Sequence, residues 1–588
     1  MSRALSPSRG LAAAATVGVL LLTPLAVTGL GTPAVADAAA DCASPVDVSG
    51  LSRGDAVTAL SVTAGTTPEE FPGTVLGVIT DGIAPGVDMV MIDFGGAGAN
   101  PAMDEIGGIW QGMSGSPVYL GDPADGNIVG AVAYGLSYGP SPIAGVTPYA
   151  DMDTHMPTAP ARVGVDGKTA QQIARADAGT SRTDAERGFR ILRSGLTLSG
   201  VDTSELGRVR KAAAKHGLTL RSRTFSADGT VGARAADVTV DDVAAGGNLA
   251  ASVAYGDITM AGVGTTTSVC GGELVGFGHP LIQGGEVTYG LHPADAVYVQ
   301  PDSAWAPFKV ANIGDPVGTI EQDRMTGITG TLGTLPDAAT VTSAFTAGST
   351  TQDLSTDVYE SDYLPDVVFY SGYTGTDVVL DGDPMGTQEQ AWTMTGTADG
   401  EPFAFSGSNV FAGSSWWSSY QAADEVATLA YYLNRIDGVE VDAVDVTAEQ
   451  VSTEAQSWSI LRVDQRKGGE WTPVSDRKTL KVTEGTLKLR VVVRNGDRTA
   501  RLPLSVDIDD TGRGWGYLYV RGGDSVYQRS RAGTIEKFAQ KVEDRVRNDQ
   551  VQLELRMRGA GRTTVVADLP RQGIVRGGQY ISVSTPRR

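Results

Sequence analysis

Cysteine is nearly absent: the 588-residue chain has two, Cys42 and Cys270. Neither sits in a CxxC-like pair, which argues against a thiolate zinc site. In an exported chain the two would form a bridge stapling the mature N-terminus to a distant segment, and two free buried thiols are the alternative. Histidine is almost as scarce, so imidazole chemistry has four candidates, His155, His216, His279 and His292. Past residue 36 no stretch approaches the roughly 20 apolar residues that a spanning helix needs. No short-period repeat points to a solenoid or propeller. The one long apolar run is N-terminal: Arg3 and Arg9 precede LAAAATVGVLLLTPLAVTGL, and Ala34-Val35-Ala36 offers a small-residue cleavage site. Residues 1–36 read as a secretory signal, its two prolines arguing against a retained anchor. The expectation is a secreted or envelope protein with no membrane span once the leader is removed.

What the chain has in plenty is glycine, 76 residues, between short runs rich in Val, Thr and Ile. GTVLGVI, VDMVMIDF, NIVGAVAYG, LAASVAY and TLKLRVVVR read as strands, and the chain as mainly β. Helical periods are confined to 202–217, 424–436 and 534–548. Charge is uneven. Residues 461–588 hold 26 Lys and Arg against 15 Asp and Glu, while residues 1–460 hold 20 against 53. A sign reversal of that size marks a boundary near residue 455. The acidic body disfavours nucleic acid as a partner. The basic tail suits the acidic body or an anionic envelope polymer, the plain alternative being a solvated basic surface.

GGIWQGMSGSPVYL, residues 107–120, carries the chemistry. A serine attacks a carbonyl only when a base takes its proton and donors receive the oxyanion. Glycines at 112 and 115 permit a tight loop that aims neighbouring N–H groups at one spot, with Gly112 and Ser114 as the oxyanion donors. The loop, the strand IVGAVAYG after it and the later IAGVTPYADM resemble the second barrel of trypsin-like serine peptidases. The match is closer to the SpoIVB serine peptidase family, whose nucleophile loop also reads Gly-Met-Ser-Gly-Ser-Pro. GDITMAGVGTTTSVCGGELVGFGHPLI (256–282) is similar to that family's histidine segment, and VGTIEQDRMTGITGTLG (317–333) to its next strand pair. The resemblance covers 45–160 and 235–345. It implies Ser114 as nucleophile and His279 as general base, with the serine and histidine halves in permuted order.

The third catalytic member is open. Where the family places an aspartate upstream of the serine loop, this chain has Asn100, with Asp104 and Asp93 nearby. Asp323, 44 residues after His279, ranks first by analogy with the spacing in trypsin-like enzymes, Asp104 second, and a Ser-His dyad is the other reading. His292 is the runner-up base. His216 suits a helix C-terminus without any function, and His155 lies in an exposed-looking segment. The carboxylates of 380–384 and 507–510 complete no calcium loop, so no metal or cofactor is expected. SSWWSSY (414–420) suits a sugar-stacking face or, more commonly, buried aromatics.

The expected organisation is a signal (1–36), a serine-bearing barrel half (43–160), a mixed helical insert (165–235) and a histidine-bearing half (236–345). An acidic β-rich region (346–455) and a basic sandwich-like domain (456–588) follow as accessory units. The expected function is a secreted serine endopeptidase acting on exported or envelope proteins, with a protein or peptide substrate. The alternative is a non-catalytic envelope or adhesion protein that keeps the scaffold.

Overall fold

The computed structural model describes residues 42–585, apart from 153–161, most of 202–236 and several shorter stretches. Residues 1–36, His155, His216, most of the segment 202–217 and Asp509–Asp510 lie outside the described residues. The protein is mainly β, with 52% strand and 18% helix, and holds two closed six-stranded antiparallel barrels with further sheets.

The first barrel is built from β1 (Ala56–Ser61), β2 (Glu69–Ala84), β3 (Val87–Asp93), β4 (Pro117–Leu120), β5 (Asn127–Leu136) and β6 (Ile143–Pro148). Around the barrel their order is β1-β2-β3-β6-β5-β4, and β4 pairs back to β1. Alternation sets the register: in β1, Val57, Ala59 and Ser61 point inward while their neighbours face outward. Val57, Val75, Val90, Ile92, Val118, Val132 and Val146 fill the interior. A short helix, α1 (Pro101–Ile106), lies between β3 and β4 and stops at Gly107, whose left-handed backbone ends it.

The second barrel uses β7 (Asn248–Gly256), β8 (Thr259–Cys270), β9 (Glu273–Gly276) and β10 (Gly285–Gln300). An added strand, β11 (Phe308–Ile313), is followed by β12 (Gly318–Arg324) and β13 (Gly327–Leu332). With β11 set aside, the circuit β7-β8-β9-β13-β12-β10 repeats the strand order of the first barrel. Leu249, Ala251, Leu274, Tyr289, Leu291, Ile320 and Ile328 pack its interior.

The sheet does not end with this barrel. Strand Thr350–Val358 pairs with β7 and with Ala339–Ala347, carrying the sheet across residue 345 into the acidic region. Helices Leu364–Leu380 and Trp416–Leu433 pack into the same core. Two five-stranded sheets after residue 456 enclose a separate core of Trp458, Val463, Val491, Leu518, Leu553 and Ile581. That unit is docked on the acidic region: Phe538 is buried against Phe405 at 5.3 Å, and Arg545 pairs with Glu425 at 3.2 Å.

Candidate active site

Ser114 lies in the connection between the third and fourth strands of the first barrel, β3 to β4. His279 lies in the same connection of the second barrel, β9 to β10. These equivalent loops meet at the seam between the barrels.

The serine loop is held by backbone bonds on both sides. Gly115 N–H donates to Val132 O of β5 at 2.8 Å, and Ser116 O accepts from Val132 N–H at 2.9 Å. From the second barrel, Thr265 N–H donates to Ser114 O at 2.8 Å. The Thr265 and Thr267 hydroxyls donate to Gly112 O and Gly115 O at 3.0 and 2.7 Å. The approach is so close that a Cβ on Gly115 would lie 1.9 Å from Thr265 O, and Gly115 has φ +95° besides. Only glycine satisfies both demands.

The histidine loop packs on the same stretch of β5. A Cβ on Gly278 would meet Ala133 Cβ at 3.0 Å and Ala131 Cβ at 3.1 Å, and Thr147 Oγ1 donates to Gly278 O at 2.6 Å. Phe277 N is 2.6 Å from a Cβ built on Gly115, so the two loops touch. Phe277 adopts φ +67°, a conformation costly for a bulky side chain and characteristic of strained functional loops.

Ser114 and His279 are both fully buried. A turn serine normally spends its hydroxyl on a neighbouring backbone group. The buried Ser114 Oγ has no hydrogen-bond partner, so this hydroxyl is not a turn cap. His279 Nδ1 bonds Pro280 O at 2.8 Å. A carbonyl only accepts, so Nδ1 carries a hydrogen, and in the neutral form of the ring the lone pair lies at Nε2. Among the described residues, the N–H groups of Gly112 and Ser114 donate to no backbone carbonyl.

Asp323 departs from its expected role. Its carboxylate accepts from Leu281, Ile282 and Gly284 N–H at 2.7, 2.9 and 3.0 Å. It organises the segment that follows His279, while the Pro280 carbonyl takes the place at Nδ1 expected of an acid. Burial pushes the Asp323 carboxyl up from its ordinary range, against the pull of these backbone bonds. Asn100 is a bracket, its amide donating to Pro72 O and Phe94 O at 3.0 and 2.6 Å. Asp104 faces solvent on α1, and Asp93 accepts from Gly95 N–H at 2.8 Å.

His292 bonds Ser252 Oγ through Nε2 at 2.7 Å and Gly314 O through Nδ1 at 2.9 Å. Ser252 on β7 and His292 on β10 are fully buried, the His292 ring lies near those of Tyr255 and Tyr359, and burial lowers the His292 pKa to about 4. The runner-up base is thus a neutral core histidine paired with a different serine. Cys42 and Cys270 form a disulfide joining the start of the described chain to the end of β8.

One residue at the site has no forerunner in the sequence reading. Lys309 of β11 is 2% exposed, with its stem against Gly112 and its Nζ donating to Asn248 Oδ1 at 2.7 Å. Its backbone N–H donates to Gln111 O at 2.9 Å, and Gln111 N–H donates to Pro307 O at 2.7 Å, which anchors the serine loop to the second barrel. Burial lowers the Lys309 pKa to about 7. The signal was in FKVANI, where Lys309 shares the inward phase with Ala311 and Ile313.

No family model, no curated protein and no solved structure matches this chain.

Proposed function

We propose that this protein is a serine endopeptidase of SpoIVB type, with Ser114 as nucleophile and His279 as general base, exported to act on secreted or envelope proteins. The observation that carries the reading is the pairing of equivalent loops. Two barrels of one strand order bring the serine loop, through Gly115 and Ser116, and the histidine loop, through Gly278, onto residues 131–133 of β5, with the Ser114 hydroxyl unspent and not bonded to His279 in this closed state. In the reaction, His279 Nε2 takes the Ser114 proton as Oγ adds to the scissile carbonyl. The Gly112 and Ser114 N–H groups receive the oxyanion, and the imidazolium returns the proton to the leaving amine. Water then hydrolyses the acyl-enzyme by the same route. The Pro280 carbonyl orients the ring, and Asp323 is a positioning residue that holds the loop carrying it.

Full burial of both side chains means that the segments over the seam must move before a peptide can enter. The same burial favours the second reading, a non-catalytic envelope protein that keeps the scaffold. A fluorophosphonate probe decides between them. The mature protein, intact or after limited proteolytic trimming, labels at Ser114, and Ser114→Ala abolishes labelling. His279→Ala slows it by roughly 10²–10⁴-fold, the usual worth of a general base. Asp323→Asn slows it more than Asp104→Asn does. Labelling that persists in Ser114→Ala sinks the nucleophile assignment, and absence of labelling in both intact and trimmed protein overturns the enzymatic reading in favour of the second.

A further inference from the structure

The C-terminal sandwich displays an aromatic column on its outer face. In strand Trp515–Gly522, Leu518 and Val520 point into the core, while Trp515, Tyr517, Tyr519 and Arg521 project from the opposite face. Tyr580, from strand Gly578–Ser584, stands directly across from Tyr519. The rings form a continuous surface: Trp515 to Tyr517 is 5.2 Å, Tyr517 to Tyr580 4.7 Å and Tyr519 to Tyr580 5.2 Å between centroids. Trp515 is 50% exposed and Tyr580 45%, although a soluble sheet normally gives such rings a cover.

The column runs into a basic groove. The guanidinium of Arg521 lies 5.1 Å from the Tyr519 centroid and that of Arg556 lies 5.8 Å from it. Both arginines line a groove of about 340 Å³ with Arg562, Lys541 and Arg545, the last of these paired with Glu425. Its carboxylates are Asp544 and Glu554, and Glu554 is paired with Arg556 and with Arg562. Hydroxyls border the other side, since Ser582 stands across from Tyr517 and Ser584 across from Trp515.

We propose that this face binds an acidic polysaccharide, the rings stacking on pyranose faces while the arginines at the end of the column hold the sugar carboxylates. Flat rings match the C–H faces of sugars, hydroxyls match their rims, and guanidinium matches carboxylate in a two-pronged bond. The charge density selects this polyanion over nucleic acid. A nucleic-acid strand carries a phosphate at every step and wants a cationic groove along its whole length. Here Glu554 offsets part of the arginine charge, and Arg521 and Arg556 sit over a single ring at one end. The Cys42–Cys270 bridge is also of a kind that persists in oxidising compartments, where acidic glycans are common polyanions. The proposal is independent of catalysis at Ser114.

The test is titration of the full-length mature chain with polygalacturonate, with dextran as the neutral polymer and an oligo(dT) strand as the nucleic acid. Polygalacturonate binds with an affinity that falls as salt rises. Tyr517→Ala/Tyr580→Ala and Arg521→Ala each weaken it by roughly tenfold or more, whereas Ser114→Ala leaves it unchanged. The substituted side chains lie outside the sandwich core, and an unaltered melting curve confirms that the variants fold. No polygalacturonate binding at low salt, equal binding of dextran, tighter binding of oligo(dT), or an unchanged affinity in the folded Tyr517→Ala/Tyr580→Ala and Arg521→Ala variants would each overturn the proposal.

Discussion

Lys309→Met should stabilise the protein at pH 6 and lose that advantage steadily as the pH rises above about 7. Lys309 is sealed between β11 and the serine loop, its ammonium meets only the Asn248 amide, and no carboxylate forms an ion pair with it among the described residues. With a folded pKa of about 7 against 10.5 for the free side chain, folding selects the neutral amine. Above pH 10.5 the lysine is neutral in both states and its burial costs least. Between 10.5 and 7 the unfolded chain binds a proton that the folded one rejects, at about 1.4 kcal/mol per pH unit. Below pH 7 both states are protonated and the full cost, about 5 kcal/mol, is constant.

The methionine variant keeps the stem that covers Gly112 and removes the charge, but leaves Asn248 Oδ1 short of a donor, a pH-independent loss of about 1–3 kcal/mol. The net expectation is a gain of about 2 kcal/mol or more at pH 6. Because about 2.5 of the pH units between 6 and 9.5 lie above the folded pKa, the difference between variant and wild type should shrink by about 3 kcal/mol over that interval. Urea unfolding of both proteins at a series of pH values, followed by far-UV and tryptophan signals together, measures that difference. All other titrating groups cancel in it. A difference that is flat with pH would show that Lys309 carries an ordinary pKa, and the account of the seam as a dry, uncompensated site would be wrong.

Two further outcomes follow from the same contacts. Gly115→Ala sets a Cβ against Thr265 O at 1.9 Å in a left-handed backbone, so the variant should lose at least about 2 kcal/mol of stability, and an unchanged melting temperature would contradict the close approach of the barrels. Reduction of Cys42–Cys270 opens a closure of 228 residues, worth at most about 5 kcal/mol by chain entropy; the unfolding midpoint should fall in reductant and not in a Cys42→Ser/Cys270→Ser variant, and equal shifts in both would assign the effect to the reductant.

The parts of the site that were legible in the sequence are those where one residue type answers one local demand. Glycines at 112 and 115 marked a loop that needs left-handed backbone, and period-two alternation marked the barrel strands. Roles that depend on what a side chain meets across the fold were not legible. The spacing from His279 to Asp323 placed both in one barrel, but an identical spacing serves a carboxylate that meets the imidazole and one that meets the backbone beyond it; the N–H groups of Leu281, Ile282 and Gly284 decide for the second. The same limit separates the two aromatic clusters. Trp416 and Trp417 are adjacent on a helix and pack with Tyr420, Trp417 stacking on it at 4.9 Å, so that segment is partly buried and not a free platform.

WGYLYVRGG spaces its rings by two, and a strand puts all of them on one face. Adjacency fits a helix that buries its rings, while alternation fits a sheet that can display them. The basic tail and the acidic body differ in the same way. Net charge alone allowed the tail to be a docking arm for the body. The structure pairs Arg545 with Glu425 at the contact, and the groove that Arg545 lines runs on to Arg521 and Arg556 at the end of the aromatic column. One excess of cations therefore does two jobs, holding the sandwich to the acidic region and charging the far end of the aromatic column, and Arg545, which pairs with Glu425 and also lines the groove, links the two.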